Sequence, residues 1–469
     1  MIQNYFLLTL PPENINNKDM STQNNAPNEM GTANIGKLLI SYALPSIAAQ
    51  MVSSIYNVVD SIFIGRGVEP LAIAGFGITL PLMNLAAAFG SLVGAGGGTL
   101  ISIKLGQKDK DGANHVLGNV VILNIIIGLS VMMFGLLFMD KILVVFGASE
   151  DTISFARDFM EVILYGNVIT HLYFGLLCAV RSCGFPKKAM TITMVSVVVN
   201  IILCPIFIFW LGLGIRGAAL ATIIAQSFGL MILIRHFADK NKYISFHRRF
   251  LKLKNDIVKG IVSVGLSPFM MNICACVVVI IINNQLKTYG NDYAIGAYGI
   301  VNKMLMLFAM LVLGLNQGMQ PIAGYNYGAK KYGRVTEVFK KTVIYATMVM
   351  IGAFILCECF PHAICSVFTD DEEMTNISAN AMRIMIFAFP IVGFQMVTSN
   401  FFQSIGKAVT AAVLSTTRQL LFLLPSLLIL PKFFGLDGVW YSLPVSDVIS
   451  TVLAVLLLTK EYRKLKAAV

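Results

Sequence analysis

The chain has 469 residues, of which 57% are hydrophobic and 13% are charged, and its mean hydropathy is +0.76. A soluble protein carries about a quarter charged residues, so this composition excludes an ordinary soluble domain. The net charge of +11 does not indicate nucleic-acid binding, because the sequence contains no basic, aromatic-rich soluble domain.

The first 36 residues differ in composition from the rest of the chain. Their apolar run, Tyr5 to Leu10, is short and has no basic segment before it, so it is not a signal peptide. Residues 11–34 are rich in Asn and Pro. This composition predicts a disordered cytoplasmic tail over residues 1–36.

Long apolar segments occupy most of the remaining sequence. One of them, Leu71 to Ile103, has no charged residue over 33 positions. Because a bilayer core is crossed by roughly 20 apolar helical residues, these segments predict an all-α polytopic membrane protein. The twelve predicted transmembrane helices are at about 38–64, 71–103, 116–139, 157–180, 189–211, 217–237, 260–286, 294–320, 342–361, 380–402, 409–430 and 438–459.

The charged residues are unevenly divided between the two sides of this predicted bundle. The loops after even-numbered helices, together with the C-terminal tail, hold 24 Lys and Arg residues, and the opposite loops hold seven. Because positive loops remain in the cytoplasm, we predict that both termini and the basic linker 238–259 are cytoplasmic.

Several short segments recur at nearly one spacing. AIAGFGI at Ala72–Ile78 matches AIGAYGI at Ala294–Ile300, an offset of 222 residues, and three further pairs of segments match in the same order at that offset. A fifth pair, GIRG and GLDG, matches at an offset of 221. Five ordered matches indicate that the chain is an internal duplication.

The duplication predicts two pseudo-symmetric six-helix lobes. The N-lobe is residues 37–237, the C-lobe is residues 260–459, and residues 460–469 form a cytoplasmic tail. Six crossings return the chain to the starting side, so the lobes are related by a pseudo-two-fold axis along the membrane normal. Two such lobes that move about a central cavity are typical of secondary transporters.

A single carboxylate, Asp60, lies near the end of the first apolar segment. Tyr56 and Asn57 precede it by four and three residues, so all three share one helix face. Ionisable groups within a membrane are costly, and burial favours the protonated form of a carboxylate. Asp60 is therefore a candidate proton-coupling residue. The structural alternative is that Asp60 caps the end of the helix.

Other charged residues fall within the predicted helices of the C-lobe. Asp447 is a secondary candidate, which faces the cavity or pairs with Arg418. Arg418 and Lys303 are expected to extend to the interface or to pair with neighbouring carbonyl groups. Asn283 occupies the position that the repeat aligns with Asp60, so the titratable group belongs to the N-lobe alone.

The eight cysteines show no spacing typical of a zinc site, and we interpret them as small packing residues. No paired aspartates, Ser–His pair or H-E-x-x-H motif of an intramembrane protease occurs in the sequence. We therefore expect no metal and no cofactor, and we do not expect an enzyme.

The Asp60 segment, the loops RSCGFPKKA and QSIGKA, and GMQPIAGYNYGAKKYGRV together resemble the multidrug and toxic compound extrusion (MATE) family over essentially the whole chain after the tail. The resemblance implies an antiporter of the cell inner membrane that exports cationic, aromatic drugs in exchange for H⁺ or Na⁺. A carrier of this kind can function as a monomer, with the lipid bilayer and small molecules as its partners.

The resemblance also implies a cation-coupling cluster in the N-lobe, formed by Asp60, Tyr56, Asn200 and Thr222. Members of the family often have an acid where this chain has Cys204. Sodium prefers several hard oxygen ligands, so the thiol favours H⁺ over Na⁺. Cys204 is a secondary candidate, as are Asn57 and Asp447.

The alternative function is a lipid-linked oligosaccharide flippase of the same superfamily. Such a cavity requires several cations to hold a pyrophosphate, and we find only Lys303 and Arg418 within the predicted helices.

Overall fold

The computed structural model describes residues 29–68 and 70–467. Within these ranges the chain is almost entirely helical and contains no strand. Ten helices are long and apolar enough to cross a membrane, and two bent helix pairs bring the number to twelve when each pair is one span. The prediction of an all-α polytopic membrane protein is confirmed.

We number the helices α1 to α12 by span. The N-lobe contains α1 (Ile35–Gly67), α2 (Pro70–Gly106), α3 (Lys110–Val145), α4 (Ile153–Tyr165 and Asn167–Ser182), α5 (Pro186–Pro205, with a π-helical end Ile206–Trp210) and α6 (Gly214–Ala238). The C-lobe contains α7 (Asn255–Tyr289), α8 (Asp292–Gly328), α9 (Tyr332–Cys359), α10 (Glu372–Ile386 and Phe389–Ser404), α11 (Ala408–Thr416, π-helix Thr417–Leu423 and Leu424–Phe434) and α12 (Leu436–Ala467).

Both bent spans occupy equivalent positions in the two lobes. α4 bends by 56° at Gly166, and α10 bends by 55° before Phe389. The first arm of each span begins earlier than the sequence predicts, because its first turns are polar. Asp371, for example, caps α10 by accepting a hydrogen bond from the Met374 amide at 2.7 Å.

The predicted two-fold relation appears directly in the contacts between α2 and α8. Gly106 of α2 lies against the Tyr325 carbonyl oxygen of α8, and Gly328 of α8 lies against the Ile103 carbonyl oxygen of α2. These two contacts exchange with each other under the 222-residue offset. At each of them only a glycine allows the two backbones to approach so closely.

The same close packing continues along the inner helices of both lobes. A methyl group on Gly318 of α8 would lie 2.7 Å from the Ala43 Cα atom of α1, and Gly265 of α7 packs on the Leu92 backbone of α2. Gln320 of α8 donates a hydrogen bond to the Thr99 hydroxyl of α2 at 2.7 Å. These contacts lie in the half of the bundle that carries residue 29, the linker and residue 467, which we call the terminus end.

The opposite end of the bundle is organised differently. There, Gly75 packs on Phe155 and Gly296 packs on Met374, so each contacts its own lobe. A methyl group on Gly77 or on its counterpart Gly299 would have no atom within 4 Å. The lobes therefore meet at the terminus end and diverge toward the opposite end.

Residues 29–34 correct the predicted extent of the disordered tail, whose first 28 residues lie outside the described part of the chain. Met30 is buried, and its carbonyl oxygen accepts hydrogen bonds from Asn326 at 2.8 Å and from Arg334 at 3.2 Å. Arg334 also donates to the Ala33 carbonyl oxygen at 2.7 Å. The segment is thus folded against the C-lobe, although it leads into the first helix of the N-lobe.

The basic linker between the lobes is folded onto the N-lobe. The Ser245 amide donates to the Asn114 side chain of α3 at 3.0 Å, and the Lys254 amide donates to Asn119 at the same distance. Ile244 and Phe250 are buried. The linker therefore contributes to the structure of the N-lobe as well as connecting the two lobes.

Candidate functional site

The predicted N-lobe cluster is assembled from three helices. α1 carries Tyr56 and Asp60, α5 carries Asn200 and Cys204, and α6 carries Thr222. The four-residue spacing within α1 and within α5 places each pair on one helix face. Asp60 lies inside α1, seven residues before its end at Gly67, so it does not cap the helix.

Thr222 is the centre of the hydrogen bonding in this cluster. Its hydroxyl donates to the Ala218 carbonyl oxygen at 3.1 Å, within its own helix. The Thr222 oxygen accepts from the Asn200 amide group at 3.2 Å and pairs with the Tyr56 hydroxyl at 3.0 Å. Because Thr222 has one proton and uses it on Ala218, Tyr56 is the donor in the last of these bonds.

Asp60 is buried beside this network, with 7% of its surface exposed. The Tyr56 hydroxyl and the Cys204 thiol both interact with its carboxyl group. The Oδ1 atoms of Asp60 and Asn200 are buried and have no hydrogen-bond partner. Buried polar atoms are normally paired, so two acceptor atoms in one cluster are where a proton or a small cation can bind.

The cluster contains one carboxylate, and no other acid joins it from the described residues. No group of three or more His, Cys, Asp or Glu side chains suited to a metal ion occurs in the described part of the chain. The side chain of Asn57 lies outside the described residues, so its proposed secondary role stays a prediction.

Asp447 lies in the C-lobe and is not part of this cluster. Its carboxylate accepts a hydrogen bond from Arg418 Nε at 2.7 Å, and the side chains of Asp447 and Arg418 are 7% and 30% exposed. Arg418 is on the π-helical segment of α11. Of the two alternatives that the sequence left open for Asp447, the ion pair is the one that the structure shows.

Replacing Asp447 with Asn is expected to destabilise the protein by about 3 kcal/mol, because the arginine then stays within the membrane without its counter-charge. Thermal unfolding in detergent measures this loss. Asp140→Asn is the matched control, since it breaks an exposed ion pair with Arg157 that is worth less than about 1 kcal/mol. An equal, small effect of both substitutions would contradict a structural role for the Arg418–Asp447 pair.

The structure adds polar residues that the sequence reasoning missed. Gln226, one turn after Thr222 on α6, hydrogen-bonds the Thr170 hydroxyl of α4 at 2.5 Å. On α5, Thr193 and Ser196 continue the face that bears Asn200, and both are buried. This spacing of three to four residues is a signal that a search restricted to charged groups does not detect.

The MatE family model matches residues 45–206 and again residues 267–428. The chain belongs to the MatE family. The two matched segments are 222 residues apart, which confirms the internal duplication and its spacing. Membership in MatE places the chain among membrane transporters and not among enzymes.

Curated relatives and solved structures agree with this assignment. The multidrug export protein MepA of Staphylococcus haemolyticus is 28% identical over 90% of this chain and 93% of its own length, and MepA of Staphylococcus aureus is 27% identical over the same shares. A solved structure described as the outward-facing conformation of a multidrug resistance MATE family transporter aligns with a TM-score of 0.88 at 22% identity, over 93% of this chain and 98% of that one. The last match shows that the fold is shared.

Proposed function

We propose that this MatE protein exports cationic, amphipathic drugs in exchange for protons, by alternating access of its two lobes. The observation that carries the proposal is the buried Asp60 carboxyl group, with an unpaired oxygen inside the N-lobe. The relatives named multidrug export protein support the substrate class. We also propose that the protein resides in the cell inner membrane and functions as a monomer.

The orientation of the chain gives the mechanism a direction. The excess of Lys and Arg at the terminus end supports a cytoplasmic location for that end. The lobes are closed there and divergent at the other end, so this arrangement corresponds to an outward-open carrier. Protonation of Asp60 from the outside would then favour release of the drug, and loss of the proton to the cytoplasm would reset the site.

Proton coupling is favoured over sodium coupling by the atoms around Asp60. A sodium ion requires several hard oxygen ligands, whereas Cys204 presents a neutral sulfur to the same carboxyl group. A single proton requires one carboxylate oxygen only. The cluster therefore meets the needs of a proton more fully than those of a sodium ion.

Reconstituted liposomes with an imposed gradient test the proposal. A pH gradient is expected to drive transport of a cationic dye such as ethidium, and a sodium gradient at constant pH is expected to have little effect. Transport driven by sodium alone would overturn proton coupling. Absence of any gradient-driven dye transport would overturn the proposed export function.

Replacing Cys204 with Asp is expected to create sodium coupling, because a second carboxylate would then face Asp60. The dye flux driven by a sodium gradient should rise by at least about tenfold, equivalent to about 1.4 kcal/mol of cation binding. Cys204→Ser, which keeps the site neutral, is the control and should remain proton-driven. A Cys204→Asp protein that responds to pH alone would show that this position does not select the cation.

The flippase alternative requires cations that converge on a lipid pyrophosphate. Arg418 is paired with Asp447, and Lys303 lies 5.9 Å from the centroid of the Phe368 ring. These two cations have separate partners, so their arrangement supports drug export over lipid-pyrophosphate transport.

A further inference from the structure

A small cavity lies at the terminus end of the N-lobe, between the ends of α5 and α6 and the folded linker. Its walls include Cys183 and Phe185 before α5, His236 at the end of α6, and Lys242, Tyr243 and Ile244 of the linker. We call this cavity the linker pocket. It is remote from Asp60, which lies toward the other end of α1.

Cationic groups converge on the linker pocket from three separate segments. The Lys242 Nζ atom is 2.7 Å from the His236 Nδ1 atom. Lys188, in the first turn of α5, interacts directly with the Lys242 side chain and also with His236. The nearest carboxylate is Asp239, whose oxygen is 4.0 Å from Lys242 Nζ. Two lysines thus share one partly exposed acid.

Burial makes this concentration of positive charge costly. The Lys242 side chain is 13% exposed, and His236 is buried. The pKa of Lys242 is lowered to about 8, first because its ammonium group is removed from water and then because Lys188 is close, with Asp239 opposing the change. Buried charges are normally paired, so the pocket lacks an anion among the described side chains.

The end of α5 adds to the positive potential. Its N-terminal residue, Phe185, provides no side-chain cap, and Pro186 begins the helix. The first turn of a helix carries a partial positive charge, which favours anions and disfavours the lysine at position 188. A second, independent feature of the pocket therefore also favours a negatively charged ligand.

The hydrogen-bonding directions identify the ligand chemistry. Lys242 has only protons to offer, so Nδ1 of His236 is the acceptor and Nε2 of the neutral ring carries the hydrogen. Three donors, the two ammonium groups and Nε2–H, are thus available around one position. A phosphate group offers several charged oxygen atoms to such a set of donors.

We propose that the linker pocket binds a phosphate group. The ends of α5 and α6 are at the depth of the lipid headgroups, and basic pockets between helices on this side of a membrane bind phosphorylated headgroups. An anionic phospholipid and free inorganic phosphate present the same chemistry, and they are separated by experiment. Binding would tie the linker to α5 and α6 and stabilise the N-lobe.

Thermal unfolding of the full-length protein in neutral detergent tests the proposal. Two probes are titrated at constant ionic strength: phosphatidylglycerol, against phosphatidylcholine as the neutral lipid, and inorganic phosphate, against chloride. The double variant Lys188→Gln/Lys242→Gln is compared with Lys187→Gln/Lys240→Gln, which removes two neighbouring exposed lysines and the same amount of charge.

A rise in the melting temperature of the unsubstituted protein with phosphatidylglycerol supports a headgroup ligand, and a rise with inorganic phosphate supports a free one. Each lysine contributes about fivefold to binding, so the half-saturating concentration should increase on the order of 25-fold in Lys188→Gln/Lys242→Gln and by less than about twofold in the control. A failure of both probes to stabilise the unsubstituted protein would overturn the proposal. Equal weakening in the control would overturn it too, because the effect would then be diffuse surface charge.

The variants also give a readout that does not require any ligand. In phosphatidylcholine alone, Lys188→Gln/Lys242→Gln should melt at or above the temperature of the unsubstituted protein, because two mutually repelling charges have been neutralised. A clear decrease would mean that the lysines are already satisfied by the protein, and it would contradict the need for an anion.

Discussion

Replacing Asp60 with Asn is expected to remove the response of drug export to an imposed pH gradient. The amide keeps the shape of the side chain next to Tyr56 and Cys204 but cannot exchange a proton. Coupling between two sites in a protein is typically worth about 1–3 kcal/mol, so the unsubstituted carrier should respond by about 5- to 150-fold and Asp60→Asn by none of it. Dye flux in liposomes with and without a pH gradient measures the difference.

Two comparisons make the Asp60→Asn result specific. Asp140→Asn removes an exposed carboxylate from the same lobe and should leave the pH response unchanged. Equilibrium binding of the dye to Asp60→Asn should stay within a few-fold of the unsubstituted protein, because the proposed role of Asp60 is coupling. Full pH-driven export by Asp60→Asn would refute that role, and loss of dye binding would make Asp60 part of the substrate site instead.

The parts of the fold that the sequence predicted are those encoded by local or repeated patterns. Apolar length located the helices, and the offset between AIAGFGI and AIGAYGI gave the two-fold relation that the contacts of Gly106 and Gly328 display. The four-residue spacing of Tyr56 and Asp60 placed them on one face. Asn200 and Thr222 entered through the family resemblance, because an amide and a hydroxyl in apolar helices are too common to be singled out.

The remaining features depend on contacts between distant segments. Residues 29–34 have a polar composition typical of a tail, yet their carbonyl groups are held by Asn326 and Arg334, about 300 positions away. The linker pocket likewise joins Lys188 to Lys242 across α5 and α6. Composition measures local preference only, so it cannot show that these groups meet.

The closed end of the bundle is the feature least accessible to sequence reasoning. A transporter of this kind has two arrangements of the same lobes, whose free energies differ by a few kcal/mol. Helix periodicity is identical in both arrangements. Which glycines make contact across the lobes, and at which end, is therefore known only from the positions of the backbones.

The second large effect is expected from Gly106→Ala, because the added methyl group would overlap the Tyr325 carbonyl oxygen and lie 2.9 Å from the Ala329 nitrogen. These are backbone atoms, so no side-chain rotation relieves the overlap, and α2 must separate from α8. Overpacking of this kind costs about 1–3 kcal/mol, which shifts the balance away from the closed terminus end by roughly 5- to 150-fold. Dye export should fall because one of the two required arrangements is depleted.

Gly77→Ala on the same helix separates this effect from helix propensity. Its methyl group has no atom within 4 Å, so the substitution should only stabilise α2, by about 0.5–1 kcal/mol, and leave export intact. Spin labels on exposed Lys187 of the N-lobe and exposed Lys340 of the C-lobe would report the separation at the terminus end. The distance should increase in Gly106→Ala and stay unchanged in Gly77→Ala. Unchanged distances and full export in both variants would mean that the carrier cycles without the backbone contact between α2 and α8, and the closing of the lobes would then have to depend on the neighbouring contacts of Gly265 and Gly318.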